Sequence, residues 1–300
     1  MSVFGDTIDS LRKKYEQSYG FAVFDLEAED DGDKVILHGR VLTAKQKEEI
    51  ISQIEEVSGK ETEADIEVLA DPRSDALGWA KVTVGLADIR SRFVPREVMN
   101  DKIAKRVRAS QAAEGEILRI LLEKDAQLLV QSEDLAIGWI DADMAEKGSE
   151  ELRDKWRNGL VAKTDDTIAV DGTGADLIRE AEKHLGVPYI LGAKSETAID
   201  CSGFTQAVFR RVFGIILPRH SWDQKKMGVA IPFEDAGTGD LIFLINKKTA
   251  TRHVGILEET AGGRNLIHAS LSMGGVLRQE MDKVLEEYDL VEARRIIKSA

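Results

Sequence analysis

VPYILGAKSETAIDCSGFTQAVFRRVFG, residues 187–214, carries the chain's single cysteine and decides how its C-terminal part folds. Pro188 breaks what precedes it. Thr197, Ala198 and Ile199 lead into Asp200-Cys201-Ser202-Gly203, and FTQAVFRRVF then has helical spacing, with Phe204, Val208, Val212 and Phe213 on one side. Cys201 therefore falls at or just inside a helix N-terminus. Asp200 stands where it would either cap that helix or meet a ligand. Immediately upstream, ADLIREAEKHLG (175–186) predicts an amphipathic helix with Leu177, Ile178, Ala181 and Leu185 in one stripe and Gly186 at its end. His184, in that helix's last turn, is best placed to interact with its dipole.

A lone cysteine is most often a small buried hydrophobe, so Cys201 needs support from its surroundings. Its position gives some: the free N–H groups and dipole of a helix start favour an anion, which predicts a lowered thiol pKa. A thiolate nucleophile also needs a base within reach. HVGILEET (253–260) and NLIHASL (265–271) read as two strands around a Gly262-Gly263 turn. In plain register His253 and His268 lie directly opposite, on one face. His253 would then face the sulfur while His268 holds its other ring nitrogen, a Cys–His–polar triad.

Outward from this region, residues 1–70 alternate helix and strand. A helix is expected over 7–17, then strands in FAVFDLEAE and DKVILHGRV around the turn Asp30-Asp31-Gly32-Asp33. A second helix should start at a Thr43 cap, with Gln46 completing a capping box, and run to Gly59. ETEADIEVLAD supplies a third strand. By order of elements and the VILHGRV segment, this small α+β unit resembles a BON-type domain; His38, at a strand end, reads as structural. Residues 77–146 alternate as short strands, and LLVQSEDLAIGWI with Trp139 resembles the ending of bacterial SH3-like barrels. FVPREVMNDKIAKRVRASQA (93–112) is a charged, partly helical insertion in an early loop. Residues 147–174 read as a connector in which Trp156 packs locally, and 175–300 as the last domain.

The bulk numbers set limits. Apolar residues make up 43% of the 300 and charged residues 32%, enough to bury real cores. A net charge of -13 without a basic cluster argues against nucleic-acid binding. One cysteine precludes an intramolecular disulfide and any zinc site built on several cysteines. No stretch approaches the length of a membrane span. MSVFGDTIDSLRKKYEQ does not read as a signal peptide, so the expectation is a cytoplasmic protein, or a secreted one whose leader is not in this sequence.

DCSGF, LPRHSWDQ, GDLIFL, HVGI and IHAS follow one another in the order found in NlpC-type cell-wall cysteine peptidases, and residues 175–300 resemble that family. The resemblance implies an α+β fold with a papain-like core, a Cys-bearing helix packed on an antiparallel sheet, preceded here by the SH3-like barrel and the N-terminal α/β unit. It implies Cys201 as nucleophile, His253 as base, His268 as third member and Tyr189 as a hydroxyl at the oxyanion. Asp200 and Ser202 would line the substrate site. Arg219, Ser221 and Gln224 match the family's P-R-x-S-x-x-Q; Arg219 would either contact substrate or pair with a structural carboxylate. Leu191, Gly192 and Ala193 replace the family's aromatic residue and Gly-Gly pair, and His220 replaces a small or polar residue, which bears on subsite shape.

The implied reaction is hydrolysis of the γ-D-glutamyl–diamino acid bond of a peptidoglycan stem peptide, without metal or other cofactor. In relatives such a barrel can wall off one end of the cleft, which would select free peptides with an N-terminal amine, Asp200 being the candidate acceptor. Two alternatives remain: another thiol amidase or acyltransferase of the same fold, and a wall-binding protein with a vestigial catalytic domain.

Overall fold

A computed structural model describes residues 3–20, 22–74, 76–159 and 164–299; Phe21, in the first expected strand, and residues 160–163 of the expected connector lie outside these. The chain forms two compact units, each assembled from separate stretches.

The first unit comprises Met1–Val107, Ala112–Ser132 and Ile137–Arg157. It opens with α1 (Val3–Tyr19), β1 (Phe24–Asp30), β2 (Val35–Val41), α2 (Ala44–Ser58) and β3 (Thr62–Val68). The turn between β1 and β2 is set by Asp31, whose Oδ1 accepts the N–H groups of Asp33 (3.1 Å) and Lys34 (2.8 Å). β2 pairs antiparallel with β1 and parallel with β3, α2 making the crossover. α2 begins with the capping box read from sequence: Gln46 N–H donates to Thr43 Oγ1 at 3.3 Å and Thr43 N–H to Gln46 Oε1 at 3.0 Å. Gly59 ends it in the left-handed region, φ 67°. Ile8, Leu11 and Tyr15 pack on Phe24, Leu37, Ile50 and Ile54 in the core. His38 lies inside β2 rather than at its end; its exposed ring is 3.7 Å from Asp65.

The unit continues through β4 (Gly78–Val82), β5 (Leu86–Arg90), α3 (Asp101–Val107), β6 (Arg108–Ala113), β7 (Ile117–Lys124), β8 (Gln127–Gln131), β9 (Ile137–Asp141), β10 (Ala145–Gly148) and α4 (Glu150–Gly159). β10, β4, β7, β8, β9 and β5 lie side by side, antiparallel, in that order. The insertion at 93–112 is only half loop: it forms α3, and its end is β6. Trp139 packs edge-on against Phe93 at 5.1 Å, in a cluster with Val23, Leu69, Leu121 and Leu129. This apolar cluster joins the first α+β stretch to the strands that follow. Buried Arg90 is matched by Asp141 at 2.9 Å and by Gln127 at 2.7 Å, and buried Arg119 donates to Leu69 O at 2.8 Å. The expected connector instead contributes the end of β10 and α4. Trp156 of α4 is fully buried, its indole donating to Gln131 O at 3.2 Å.

The second unit comprises Arg108–Gln111, Glu133–Ala136 and Asn158–Ala300. Its elements are β11 (Ile168–Val170), α5 (Gly174–Glu182), α6 (Cys201–Phe213), α7 (Ser221–Gln224), β12 (Val229–Ile231), β13 (Leu241–Asn246), β14 (Arg252–Thr260), β15 (Gly263–Ser270), β16 (Gly275–Glu280), α8 (Met281–Glu287), β17 (Tyr288–Arg295) and β18 (Ile297–Ser299). An antiparallel sheet runs β12-β17-β13-β14-β15-β16, and β11 pairs parallel with β18. Period-2 alternation gives the sheet two apolar faces. Phe243, Val254, Ile256, Ile267 and Ala269 meet Phe204 and Val208 of α6 and Leu177 of α5. Leu244, Leu257 and Leu266 meet Met281 and Val284 of α8 on the other face. α5 ends sooner than expected, at Glu182, so Leu185 leaves the apolar stripe and is 40% exposed. His184 is buried against Phe204 and its pKa is lowered, chiefly by burial, so it is a neutral ring and not a cationic partner of the helix dipole.

Among the described residues, no helix is long and apolar enough to cross a membrane. The architecture is mixed α+β with antiparallel sheets.

Candidate active site

α6 starts where the sequence predicts. Asp200 is its N-cap, Oδ1 accepting Gly203 N–H at 2.8 Å, and Cys201 is its first residue. The Asp200 carboxylate does more than cap. It is paired with Arg219, whose guanidinium reaches Oδ2 at 2.7 Å and Oδ1 at 3.0 Å, and Oδ2 also accepts Gly192 N–H at 2.8 Å. Arg219 is 2% exposed, and its remaining donors go to Ser110 Oγ (3.0 Å) and Ser202 Oγ (2.9 Å). Of the two roles open to Arg219, the structural pairing is the one formed. Gln224 extends the scaffold: its amide donates to Ser202 O and Pro218 O and accepts the Thr205 hydroxyl. The start of α6 is thereby fixed by buried polar contacts.

Cys201, His253, Tyr189, Asp200, Ser202 and Arg219 all line one cavity of about 450 Å³. Its lining also includes Arg108, Ala109, Leu191, His220, Trp222, Arg252 and Tyr288. Arg252 lies over the Trp222 ring at 4.7 Å.

His268 stands behind His253. The rings meet in a 2.7 Å hydrogen bond between His253 Nε2 and His268 Nδ1. The register that produces it differs from the one read in the sequence. The hairpin closes with Thr260 opposite Gly263, so its two-residue loop is Ala261-Gly262 and Ile256 faces Ile267. Moving the hairpin's midpoint by one residue shifts the pairing by two. His268 thus packs beside Gly255, where an added Cβ would come within 2.9 Å of His268 Cβ. The two histidines are diagonal rather than opposite, but still on one face because the side-chain period is two.

Burial dominates the electrostatics. It pushes the Cys201 thiol up to about 12; Asp200 adds to this, while Arg219 and the N–H groups of Val254 and Ser202 pull the other way. The lowered thiol pKa expected from the helix start is therefore overturned: dehydration of the sulfur and a carboxylate one residue away outweigh the dipole. Burial also holds His253 well below the usual histidine range, and His268 down at about 4. These directions leave Cys201 a thiol and His253 a neutral imidazole on the wall of the same cavity. Burial, Cys201 and Asp200 all raise the pKa of Tyr189, so its phenol stays protonated and remains a donor.

Four further residues, Tyr288 on the cavity and Gln279, Ser110 and Asp134 behind it, were not singled out from the sequence. Tyr288 stacks on the His253 ring at 5.0 Å. Gln279 meets His268, its Oε1 3.2 Å from Nε2. Ser110 and Asp134 reach the site's framework from distant parts of the chain; Asp134 accepts from Gln206 at 3.1 Å and Lys194 at 3.2 Å. Only Gln279 was within reach of pattern reading, two residues beyond the His268 partner Leu277 in the next hairpin.

Residues 186–295 match the NlpC/P60 family. The murein DD-endopeptidase MepS/murein LD-carboxypeptidase of Escherichia coli (strain K12) is 39% identical over 112 residues, which are 37% of this chain and 57% of that protein. The γ-D-glutamyl-L-lysine dipeptidyl-peptidase of Bacillus subtilis (strain 168) is 32% identical over 126 residues, 41% of each chain. The probable endopeptidase NlpC of Escherichia coli (strain K12) is 34% identical over 139 residues, 45% of this chain and 84% of that protein. The chain thus spans about half the length of the first two relatives and most of the third. It belongs to the NlpC/P60 family.

Proposed function

We propose that this protein is a cysteine peptidase that hydrolyses the γ-D-glutamyl–diamino acid bond of peptidoglycan stem peptides. One observation carries the reading: Cys201 and His253 line the same cavity, with His253 held from behind by His268. Relatives named as a murein endopeptidase and a γ-D-glutamyl-L-lysine dipeptidyl-peptidase support the substrate class.

Cys201 passes its proton to Nδ1 of His253 as the sulfur attacks the carbonyl carbon; the neutral resting pair makes that transfer part of the attack rather than a prior step. The Tyr189 phenol donates to the developing oxyanion. His253 then protonates the leaving amine, a thioester remains on Cys201, and His253 activates the water that releases it. Asp200, Ser202 and Arg219 serve substrate binding by holding the wall of the cavity. In the same reading, residues 1–70 and 77–146 are BON-like and SH3-like modules.

The preferred substrate is a free peptide with an N-terminal amine, trimmed inside the cell during wall recycling. Arg108 and Ala109, from a short upstream stretch, lie on the cavity wall and favour a cleft narrowed at one end. Asp200 remains the candidate amine acceptor, although both its oxygens already accept from Arg219 and a backbone N–H, so an ammonium would share them.

The test gives purified protein free L-Ala-γ-D-Glu-diamino acid peptides, their N-acetylated forms and intact sacculi. Cleavage of the free peptides, lost in Cys201→Ala, is expected. Release from sacculi or equal cleavage of acetylated peptide would refute the recycling role; turnover retained by Cys201→Ala would refute the nucleophile.

A further inference from the structure

His253, His268 and Gln279 form a row across three adjacent strands. His253 is on β14, His268 on β15 and Gln279 on β16, and each contact is the same diagonal step. In β15–β16, His268 faces Leu277 and Leu266 faces Gln279, so Gln279 is two residues along from the position opposite His268. The row begins at the cavity and ends at Gln279, which is half-buried.

The row has a direction. Each neutral imidazole carries one N–H and one lone pair, and the hydrogen bond at one nitrogen decides which. Gln279 presents its carbonyl Oε1 to His268 Nε2 at 3.2 Å. A carbonyl oxygen only accepts, so His268 carries its proton on Nε2 and its Nδ1 is a bare acceptor. That acceptor lies 2.7 Å from His253 Nε2, which must donate. His253 then has its proton on Nε2 and its lone pair on Nδ1, the nitrogen not engaged with His268. Both rings are neutral, since burial lowers both pKa values, so neither has a second proton to blur the choice.

We propose that Gln279 is a positioning residue that, through His268, fixes the tautomer of His253 so that its Nδ1 is free to take the Cys201 proton. The proposal rests on the reading of Cys201 and His253 as nucleophile and base, but it makes a claim about proton positions that can be read without turnover.

The experiment labels histidine with ¹⁵N and reads the ring nitrogens by long-range ¹H–¹⁵N correlation, assigning the five histidines by single substitutions. At pH 8.5 both His253 and His268 are expected as the Nε2–H form. Three variants vary only the end of the row. Gln279→Glu still accepts and should keep both tautomers and near-native turnover. Gln279→Leu offers nothing, so His268 should become a mixture and kcat should fall about fivefold, the worth of one neutral hydrogen bond, with KM little changed. Gln279→Lys only donates, which should invert the row: Nδ1–H on both rings and a loss of kcat larger than in Gln279→Leu.

An Nδ1–H tautomer on His268 in the unsubstituted protein, or tautomers that stay unchanged in both Gln279→Leu and Gln279→Lys, would overturn the proposal. So would equal kcat in the Glu, Leu and Lys variants, because a merely structural role would not sort them by acceptor and donor. If the unsubstituted protein cleaves no peptide while the tautomers follow the series, the functional reading fails and the assignment of the row stands.

Discussion

Replacing Asp200 by Asn removes one charge from the pair that anchors α6. Arg219, 2% exposed, would keep the Ser110 and Ser202 hydroxyls but lose its bidentate partner. Asn has one acceptor oxygen where the carboxylate has two, so it cannot serve Gly203 N–H, Gly192 N–H and the guanidinium together. Breaking a buried pair by removing one partner costs about 3–5 kcal/mol. Changing both, in Asp200→Asn with Arg219→Met, removes the stranded charge and should recover most of that loss. Cys201 provides the assay: it is the chain's one cysteine and is 8% exposed, so labelling by a thiol reagent along a urea series reports the second unit alone. With a urea slope of about 2 kcal/mol/M, a loss of about 4 kcal/mol lowers the midpoint by about 2 M. The midpoint is the quantity to compare, because residue 200 adjoins the sulfur and alters its intrinsic rate. An Asp200→Asn midpoint within about 0.3 M of the unsubstituted protein, or a double variant no more stable than the single one, would refute the argument that this charge is buried and uncompensated.

Other expectations follow from the same interior. Alkylation of native Cys201 by iodoacetamide should keep rising with pH beyond the ordinary thiol range, since burial pushes the thiol up to about 12; a plateau below pH 7 would mean a preformed thiolate–imidazolium pair. His268, lowered from 6.5 to about 4 in the fold, binds its proton less readily there than in the unfolded chain. Its stabilising effect is complete above pH 6.5 and is lost as pH falls toward 4; with His253 and His184 lowered as well, the labelling midpoint should drop between pH 7 and 5, and the drop should be smaller by about 2 kcal/mol equivalent in His268→Asn. Thr43→Ala should cost the first unit about 1 kcal/mol by removing the cap of α2, read by fluorescence-detected unfolding; no change would show that the cap is replaced by water. Trp156→Ala should cost that unit about 3–5 kcal/mol, because the side chain is fully buried.

Local chemistry was legible in the sequence. The capping box at Thr43, the glycine stop at Gly59 and the placement of Cys201 at a helix start each depend on residues a few positions apart, and each formed. The hairpin register failed for a reason of the same scale: pairing His253 with His268 puts the midpoint between Thr260 and Ala261, whereas the tight turn is Ala261-Gly262, one residue later, and that moves the histidine partner by two residues. What lies far apart was illegible. No pattern connects Ser110 with Arg219 or Asp134 with Gln206, because those contacts exist only once the whole unit has folded. The thiol pKa was misread because the helix dipole is visible in a sequence and dehydration is not. Leu185 looked like a core residue by spacing, but α5 stops before reaching it.

The second unit's discontinuity bears on modularity. It cannot be treated as a self-sufficient cassette beginning near residue 158, because Arg108–Gln111 and Glu133–Ala136 are part of it. A transplant lacking those two short stretches would leave Arg219 Nε without Ser110, Lys194 N–H without Gln111 and Gln206 without Asp134. Grafting or shuffling of this fold must carry the upstream stretches along, and inherited changes at 110 should be matched by changes at 219, and changes at 134 by changes at 194 and 206. Two short upstream stretches are thus co-authors of the pocket's framework, and they are constrained to diverge together with the rest of their unit.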